Sequence, residues 1–312
     1  MTTIAITGAS GFVGRHLVRA AARAGHAVTG LVRSERAAGL VREAGGRPAR
    51  LTDDPEALAH GLAAAFTGCR AVVHLAQIGA ERDGQTYEAV NVGLTGRVLE
   101  AARRASVSRV VAFSGLGVAR YGLAPRVTSR YFLSKLTAET LVSGSGLDAV
   151  VFRPSYVVGP NDAFITAVLR AMEAGEVERP GDGSYRMQPI AVADATALVL
   201  AAIERAAGGF PTVFDLVGPE KVSYAALLER LATVARGLGR PVSLRVREVA
   251  IAEAERRART PAGYQGMGPD ELDCLLCDEV SDPAPLATLL GRALTPLDEA
   301  LGAAVRAAPV PA

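Results

Sequence analysis

Lysine is nearly missing from this chain. Of thirty-four basic residues only Lys135 and Lys221 are lysines, so a retained lysine marks a place where a compact ammonium on a flexible stem does what a planar guanidinium cannot. Cysteine is also sparse: Cys69, Cys274 and Cys277 are three thiols in 312 residues, an odd number that argues against a disulfide framework. The Cys274-Leu-Leu-Cys277 spacing suits a metal, but no second pair and no nearby histidine accompanies it. Both cysteines therefore read as buried helix positions, and no metal is expected. Long apolar runs are missing as well, the longest, Ala195 to Ile203, being far short of the roughly 20 residues a membrane span requires. Thirty-two acidic residues nearly balance the bases, leaving a net charge of +2 with no basic stripe and no acidic tail, which argues against nucleic acid as a partner. The first strand begins almost at the first residue and leaves no stretch that reads as a leader, so the expectation is a soluble cytoplasmic protein.

What the chain does have is alternation. Short β-branched runs at 3–6, Ala27 to Val32, Arg47 to Leu51, Ala71 to Leu75, Arg109 to Phe113, Ala149 to Arg153 and Val213 to Leu216 alternate with amphipathic stretches at 12–24, 34–44, 55–66 and 87–106. Strands joined by helices imply right-handed crossovers, hence an α/β fold with a doubly wound parallel sheet and ligands at the carboxyl ends of its strands. The nucleotide-binding sheet is expected over 1–155, with 190–217 returning to it. Residues 156–189 and 218–312 read as a smaller substrate lobe, with Gly- and Pro-rich loops at 154–160, 178–189 and 259–270 and helices at 194–206 and 223–237, Ser223 being a plausible N-cap.

The turn from the first strand into the first helix reads Thr7-Gly8-Ala9-Ser10-Gly11-Phe12-Val13-Gly14. Gly8 permits the tight turn, Gly11 lets backbone approach a pyrophosphate and Gly14 lets helix pack on strand, so the free N–H groups of the helix start point at an anion. Gly8, Ser10, Gly11, Phe12, Val13 and Gly14 are the expected contacts to a dinucleotide. An acidic residue at the end of the second strand would bond the ribose 2′-hydroxyl and repel a 2′-phosphate. That place holds Val32 followed by Arg33, whose guanidinium suits the phosphate, so NADP (as NADPH) is expected over NAD, with Arg36 a second candidate.

Tyr131-Phe-Leu-Ser-Lys135 opens a further helix, and residues four apart share a helical face. A phenol with a pKa near 10 needs about 4 kcal/mol of preferential phenolate stabilisation to fall by about 3 units. An adjacent ammonium can supply much of that. Tyr131 would then exchange a proton with a carbonyl oxygen as hydride moves to or from a nicotinamide.

With these residues in view, the chain resembles the short-chain dehydrogenase/reductase superfamily in its extended and atypical branches. The resemblance runs through Thr7 to Gly14, Val73-His74-Leu75-Ala76, Val90-Asn91-Val92, Phe113-Ser114-Gly115, the Tyr131/Lys135 pair, Arg153-Pro154-Ser155 to Gly159-Pro160 and Pro189 to Asp194. The run Leu276 to Leu301 is similar to atypical members related to the Rossmann-type accessory subunit of respiratory complex I, and NmrA-like members belong to the same circle. The resemblance implies a Rossmann sheet, Leu51, Leu75, Ala76 and Gln77 on the adenosine side, Asn91 steadying the cofactor loop, and Pro154 and Ser155 at the nicotinamide carboxamide. His74 reads as a packed residue rather than an acid or base. Helices 87–106 and 133–143 form dimers in many such relatives, so a homodimer is the assembly the resemblance suggests.

Two departures bear on function. The family's catalytic Ser or Thr falls three residues before a valine, and counting back from Val118 gives Gly115; Ser114 is one place early, and Thr128 and Ser129 are the other hydroxyls at hand. Nucleotide-sugar enzymes often carry two adjacent bases where this chain has only Arg186, which favours a less charged carbonyl compound. The expected function is an NADPH-dependent carbonyl reductase acting through Tyr131, Lys135 and Ser114 on a small-molecule substrate. The alternatives are a regulatory or assembly protein that holds NADPH without turnover, and an epimerase working through a transient ketone.

Overall fold

β-Branched and alanine side chains fill both faces of the expected strands, which suits a parallel sheet covered by helices on each side. The computed structural model describes residues 2–52, 54–205, 208 and 212–309. Its first half runs β1 (Thr3–Thr7), α1 (Phe12–Arg23), β2 (Ala27–Val32), α2 (Glu35–Glu43), β3 (Arg47–Arg50), α3 (Pro55–Phe66), β4 (Ala71–His74), a π-helical turn (Glu88–Gly93) into α4 (Leu94–Arg104), β5 (Arg109–Phe113), a 3-10 turn (Leu116–Arg120), α5 (Arg130–Ser143) and β6 (Ala149–Pro154). The second half runs β7 (Val157–Val158), α6 (Ala163–Glu173), β8 (Val177–Pro180), β9 (Arg186–Met187), β10 (Ile190–Ala191), α7 (Val192–Glu204), β11 (Thr212–Leu216), β12 (Val222–Ser223), α8 (Tyr224–Gly237) and β13 (Val246–Val249). Four helices follow: α9 (Ile251–Ala258), α10 (Pro269–Leu276), α11 (Ala284–Leu290) and α12 (Leu297–Ala307).

Seven strands make one parallel sheet in the order β11-β6-β5-β4-β1-β2-β3. The chain reverses direction of travel across the sheet between β1 and β4, and the carboxyl ends of those two strands frame the crevice where such sheets take ligands. Leu17 and Val18 of α1 pack with Ala195 and Leu198 of α7 on one face. Leu62 and Phe66 of α3, Val98 and Ala102 of α4 and Val142 of α5 cover the other. A third cluster, with Ile165, Leu169, Leu227, Leu231, Leu301 and Val305, joins α6, α8 and α12. Each of these side chains contributes about 1.5–3 kcal/mol through burial. Leu286 and Leu294 of the C-terminal region join the sheet-side cluster beside α7.

Where expectation and structure differ, the cause is local. The helix expected over 87–106 begins as a π-turn, which widens the coil around Asn91 before α4 becomes regular. The expected loops at 154–160 and 178–189 hold β7, β8 and β9, of two to four residues each, too short to show an alternating pattern. The helix expected over 194–206 starts two residues early at Val192 and ends at Glu204; Ala206 lies outside the described residues.

Candidate active site

Gly8 stands at φ +68°, and a Cβ there would lie 2.8 Å from the Leu75 carbonyl carbon and the Ala76 nitrogen, so β1 can pass this close to the end of β4 only with glycine. At Gly14 a Cβ would lie 2.1 Å from the Gly8 oxygen, which fixes how α1 seats on the turn. Gly11 is the N-cap of α1 and brings no side-chain cap, leaving the first N–H groups of the helix facing the crevice. A cavity of about 400 Å³ opens in front of them. Gly8, Ser10 and Gly11 line it, together with Leu75, Ala76 and Gln77 and with Arg33 and Leu51. A two-glycine cradle, an uncapped helix start and a cavity of this size fit a dinucleotide.

Phe12, Val13 and Gly14 form the first turn of α1 behind the cradle. Arg33 is exposed at the rim of the cavity, whereas Arg36 lies on α2 and does not line it. Sequence reasoning missed Thr52 and Arg97, which line the same cavity. The signal for Arg97 was present: Val90, Leu94 and Arg97, spaced four and three apart, put one face of the helix on the cavity.

Asn91 is buried under the loop that follows β4. Its Oδ1 accepts from Ile78 N at 2.9 Å, and its Nδ2 donates to Ile78 O at 3.1 Å and to Ser134 Oγ at 3.0 Å. Ser134 Oγ in turn donates to Tyr131 O at 2.7 Å, so one amide ties the cofactor loop to the first turn of α5. His74 is a structural bridge. Thr95 Oγ1 donates to Asn91 O at 2.7 Å, so it accepts from His74 Nε2 at 2.9 Å, and His74 Nδ1 accepts from Thr7 Oγ1 at 2.7 Å. Burial, with a smaller contribution from Lys135, lowers its pKa to about 3, so the imidazole is neutral.

Tyr131 and Lys135 are one turn apart at the start of α5, which Ser129 caps by accepting from Phe132 N at 3.4 Å. The Lys135 ammonium donates to Phe113 O at 2.7 Å and to Gln77 Oε1. Burial pulls its pKa down to about 7, against the Glu139 carboxylate one turn on, which raises it. The Tyr131 phenol differs from expectation. Burial pushes it well above the usual value, and Cys274, Glu279 and Cys277 push the same way, while Lys135 spends its ammonium on Phe113 and Gln77. Arg153 grips Glu139 through its Nε at 3.0 Å and so holds α5 against β6.

The hydroxyl expected to complete the trio is divided from Tyr131. Ser114 is buried, its Oγ has no hydrogen-bond partner among the described residues, and it lines a pinhole cavity with Lys135, His74 and Asn91. Tyr131 does not line that cavity. Gly115 faces the phenol instead, since an ideal Cβ there would lie 3.9 Å from Tyr131 Oη. Ser129 is occupied as the helix cap, and Thr128 is exposed. Pro154 ends β6, and Ser155 Oγ donates to Glu279 O at 3.2 Å and accepts from Gln188 N at 3.3 Å. Arg186 holds Asp278 through Nε at 3.0 Å and Nη2 at 2.7 Å. Cys274 lies in α10 and Cys277 caps its end, both packed near Tyr131.

Residues 4–216 match the NAD dependent epimerase/dehydratase family. Among curated proteins, the chain is 34% identical over 222 residues to a 4-hydroxy-2-methyl-3-oxo-4-farnesyl-3,4-dihydroquinoline-1-oxide ketoreductase of Stigmatella aurantiaca, spanning 65% of this chain and 65% of that relative. It is 24% identical over 245 residues to the mitochondrial NADH dehydrogenase (ubiquinone) 1 alpha subcomplex subunit 9 of Arabidopsis thaliana, across 77% of this chain and 59% of the relative. Among solved structures, the UDP-glucuronic acid 4-epimerase of Bacillus cereus, in complex with UDP-glucuronic acid and NAD, superposes with a TM-score of 0.73 at 21% identity, covering 98% of each chain.

Proposed function

The chain belongs to the NAD dependent epimerase/dehydratase family, the extended short-chain dehydrogenases/reductases, and on that premise we propose that it reduces a carbonyl group of a small, weakly charged molecule at the expense of NADPH. Family and relatives make it an enzyme of the NAD(P)-dependent oxidoreductase and epimerase kind. The observation that carries the finer reading is the Tyr131/Lys135 turn of α5 standing at the end of β5, where the Lys135 ammonium reaches Phe113 O.

When bound, NADPH supplies hydride to the carbonyl carbon. Gly8 and Gly11 let the backbone meet the pyrophosphate, Arg33 holds the 2′-phosphate, and Leu51 and Leu75 line the adenosine side. Pro154 and Ser155 meet the carboxamide. Lys135, whose ammonium reaches Phe113 O and Gln77 Oε1, would hold the nicotinamide ribose. Tyr131 gives its proton to the carbonyl oxygen. A phenol raised above its ordinary pKa is protonated at neutral pH, the state that reduction consumes, whereas oxidation would have to start from the phenolate.

Gly115 supports a second reading, in which the protein holds NADPH without turning it over. With glycine facing the phenol, a carbonyl oxygen gains no hydroxyl donor from that position. NADPH consumption against a panel of neutral ketones and aldehydes separates the two readings: steady oxidation supports the reductase, and tight NADPH binding without any acceptor supports the holder.

A further inference from the structure

Among the described residues, every charged side chain that lines the cavity in front of the Gly8 turn is a cation: Arg33 after β2 and Arg97 on α4. Arg33 has the place at the end of the second strand that meets the 2′-position of an adenosine ribose. Arg97 has no such assignment. It is exposed, and among the described residues it makes no ion pair. The one acid on its own helix, Glu100, is held by Arg103 at 2.6 Å and by Arg104 at 2.8 Å. Its guanidinium is therefore available to whatever fills the cavity.

The wall beside Arg97 is apolar. Val90, Leu94 and Arg97 follow one another at four and three residues, so Arg97 continues the helical face that Val90 and Leu94 turn to the cavity. Leu51 and Leu94 pack in one cluster with buried Leu58, and all three line the cavity. The end of β3, the start of α3 and this face of α4 thus make one apolar patch. Leu51 N donates to Val32 O at 2.8 Å, which brings that patch alongside Arg33. With pyrophosphate at the Gly8 to Gly11 turn and ribose at Arg33, the patch is left for the base. A purine lays one flat face on apolar side chains and turns the other toward the rim, where Arg97 stands.

We propose that Arg97 closes over the adenine ring of the bound dinucleotide, its guanidinium plane against the base, and so holds the adenosine half of the cofactor whatever its 2′-substituent. The inference rests on the reading of the cavity as a dinucleotide site and is independent of which carbonyl compound is reduced. Planar, delocalised and weakly hydrated, a guanidinium stacks on a π-face where an ammonium keeps its water. The anionic groups of the ligand are met elsewhere, by the uncapped start of α1 and by Arg33, so the contribution of Arg97 is separable from charge.

The test is calorimetric titration of the full-length protein with adenosine 5′-monophosphate and with adenosine 2′,5′-bisphosphate, which share the base and differ by one phosphate. Arg97→Ala weakens both by about fivefold, the two losses agreeing to within about twofold, as a stack on the base requires. Arg97→Lys, which keeps the charge and loses the plane, stays nearer to Arg97→Ala than to the parent. Because Arg97 is exposed, the melting temperature without ligand stays at the parent value, which separates lost binding from lost folding. A loss below about twofold in Arg97→Ala overturns the inference. So does a loss confined to the bisphosphate, which would make Arg97 a phosphate contact, and so does an Arg97→Lys protein that binds like the parent. A parent protein that binds neither nucleotide removes the dinucleotide reading and the inference with it. Equal parental affinities for the two nucleotides, with equal losses in Arg97→Ala, keep the inference and remove only the preference for NADPH.

Discussion

Gly115 presents its α-carbon to Tyr131 in such a way that a Cβ would stand 3.9 Å from the phenol oxygen, in ordinary contact range and clear of any backbone. Gly115 has φ −145° and ψ 145°, extended backbone that any residue adopts. Ser114, one residue earlier, turns its hydroxyl into the pinhole cavity behind Lys135. The hydroxyl-bearing residue is therefore one place out of register with the phenol.

Gly115→Ser should restore a second donor to the carbonyl oxygen without strain. Losing a donor of this kind costs about 10²–10³ in kcat. A gain of about tenfold or more in the single-turnover rate is expected, with melting temperature little changed. An unchanged rate would mean that the carbonyl oxygen is held somewhere other than between residues 115 and 131.

Arg33 should account for most of any preference for NADPH over NADH. A charge-assisted hydrogen bond is worth about 1.5–3 kcal/mol, so Arg33→Ala should cut the affinity ratio by about 10- to 100-fold while leaving NADH binding as it was. Fluorescence titration of the two reduced cofactors checks it. Equal affinities in the unmodified protein would remove Arg33 from this role, and a residual preference in the variant would point to Arg97, the other arginine that lines the cavity.

Glu279 makes stability depend on pH in a direction opposite to that of a salt-bridged acid. Burial raises its carboxyl from 4.5 to about 8 in the folded chain. Between those values the folded state holds a proton that the unfolded state has released, so the stability from this group is full below about 4.5 and declines as pH rises to about 8. Glu279→Gln should therefore be more stable than the parent at pH 8 to 9, by at most about 5 kcal/mol, with the gap closing on acidification. Chemical denaturation at a series of pH values measures this, and a gap independent of pH would contradict it.

Much of this was legible in the sequence where one residue type at one spacing has one physical use. Asp54 caps α3 by accepting from Ala57 N, and Pro55 sits at its first position, so the bounds Pro55–Phe66 could be read directly. Gly8 and Gly14 announced the close approach that the structure displays. The partners of Lys135 could not be read, because Phe113 O comes to it from the end of β5 and Gln77 from the loop after β4, two places the sheet order sets side by side. Glu279 was equally hidden. It lies in a connector after α10 that looks solvent-facing in sequence, and its burial depends on Ser155 and Arg186, more than ninety residues away.

The most direct measurement is the single-turnover rate of Tyr131→Phe with NADPH and a ketone the parent protein reduces, taken beside the NADPH affinity of the same variant. If Tyr131 delivers the proton, affinity stays within about threefold of the parent while the hydride-transfer rate falls by about 10²–10⁴. Lys135→Ala, by contrast, lowers affinity and rate together. Full carbonyl-reducing activity in Tyr131→Phe would contradict the account.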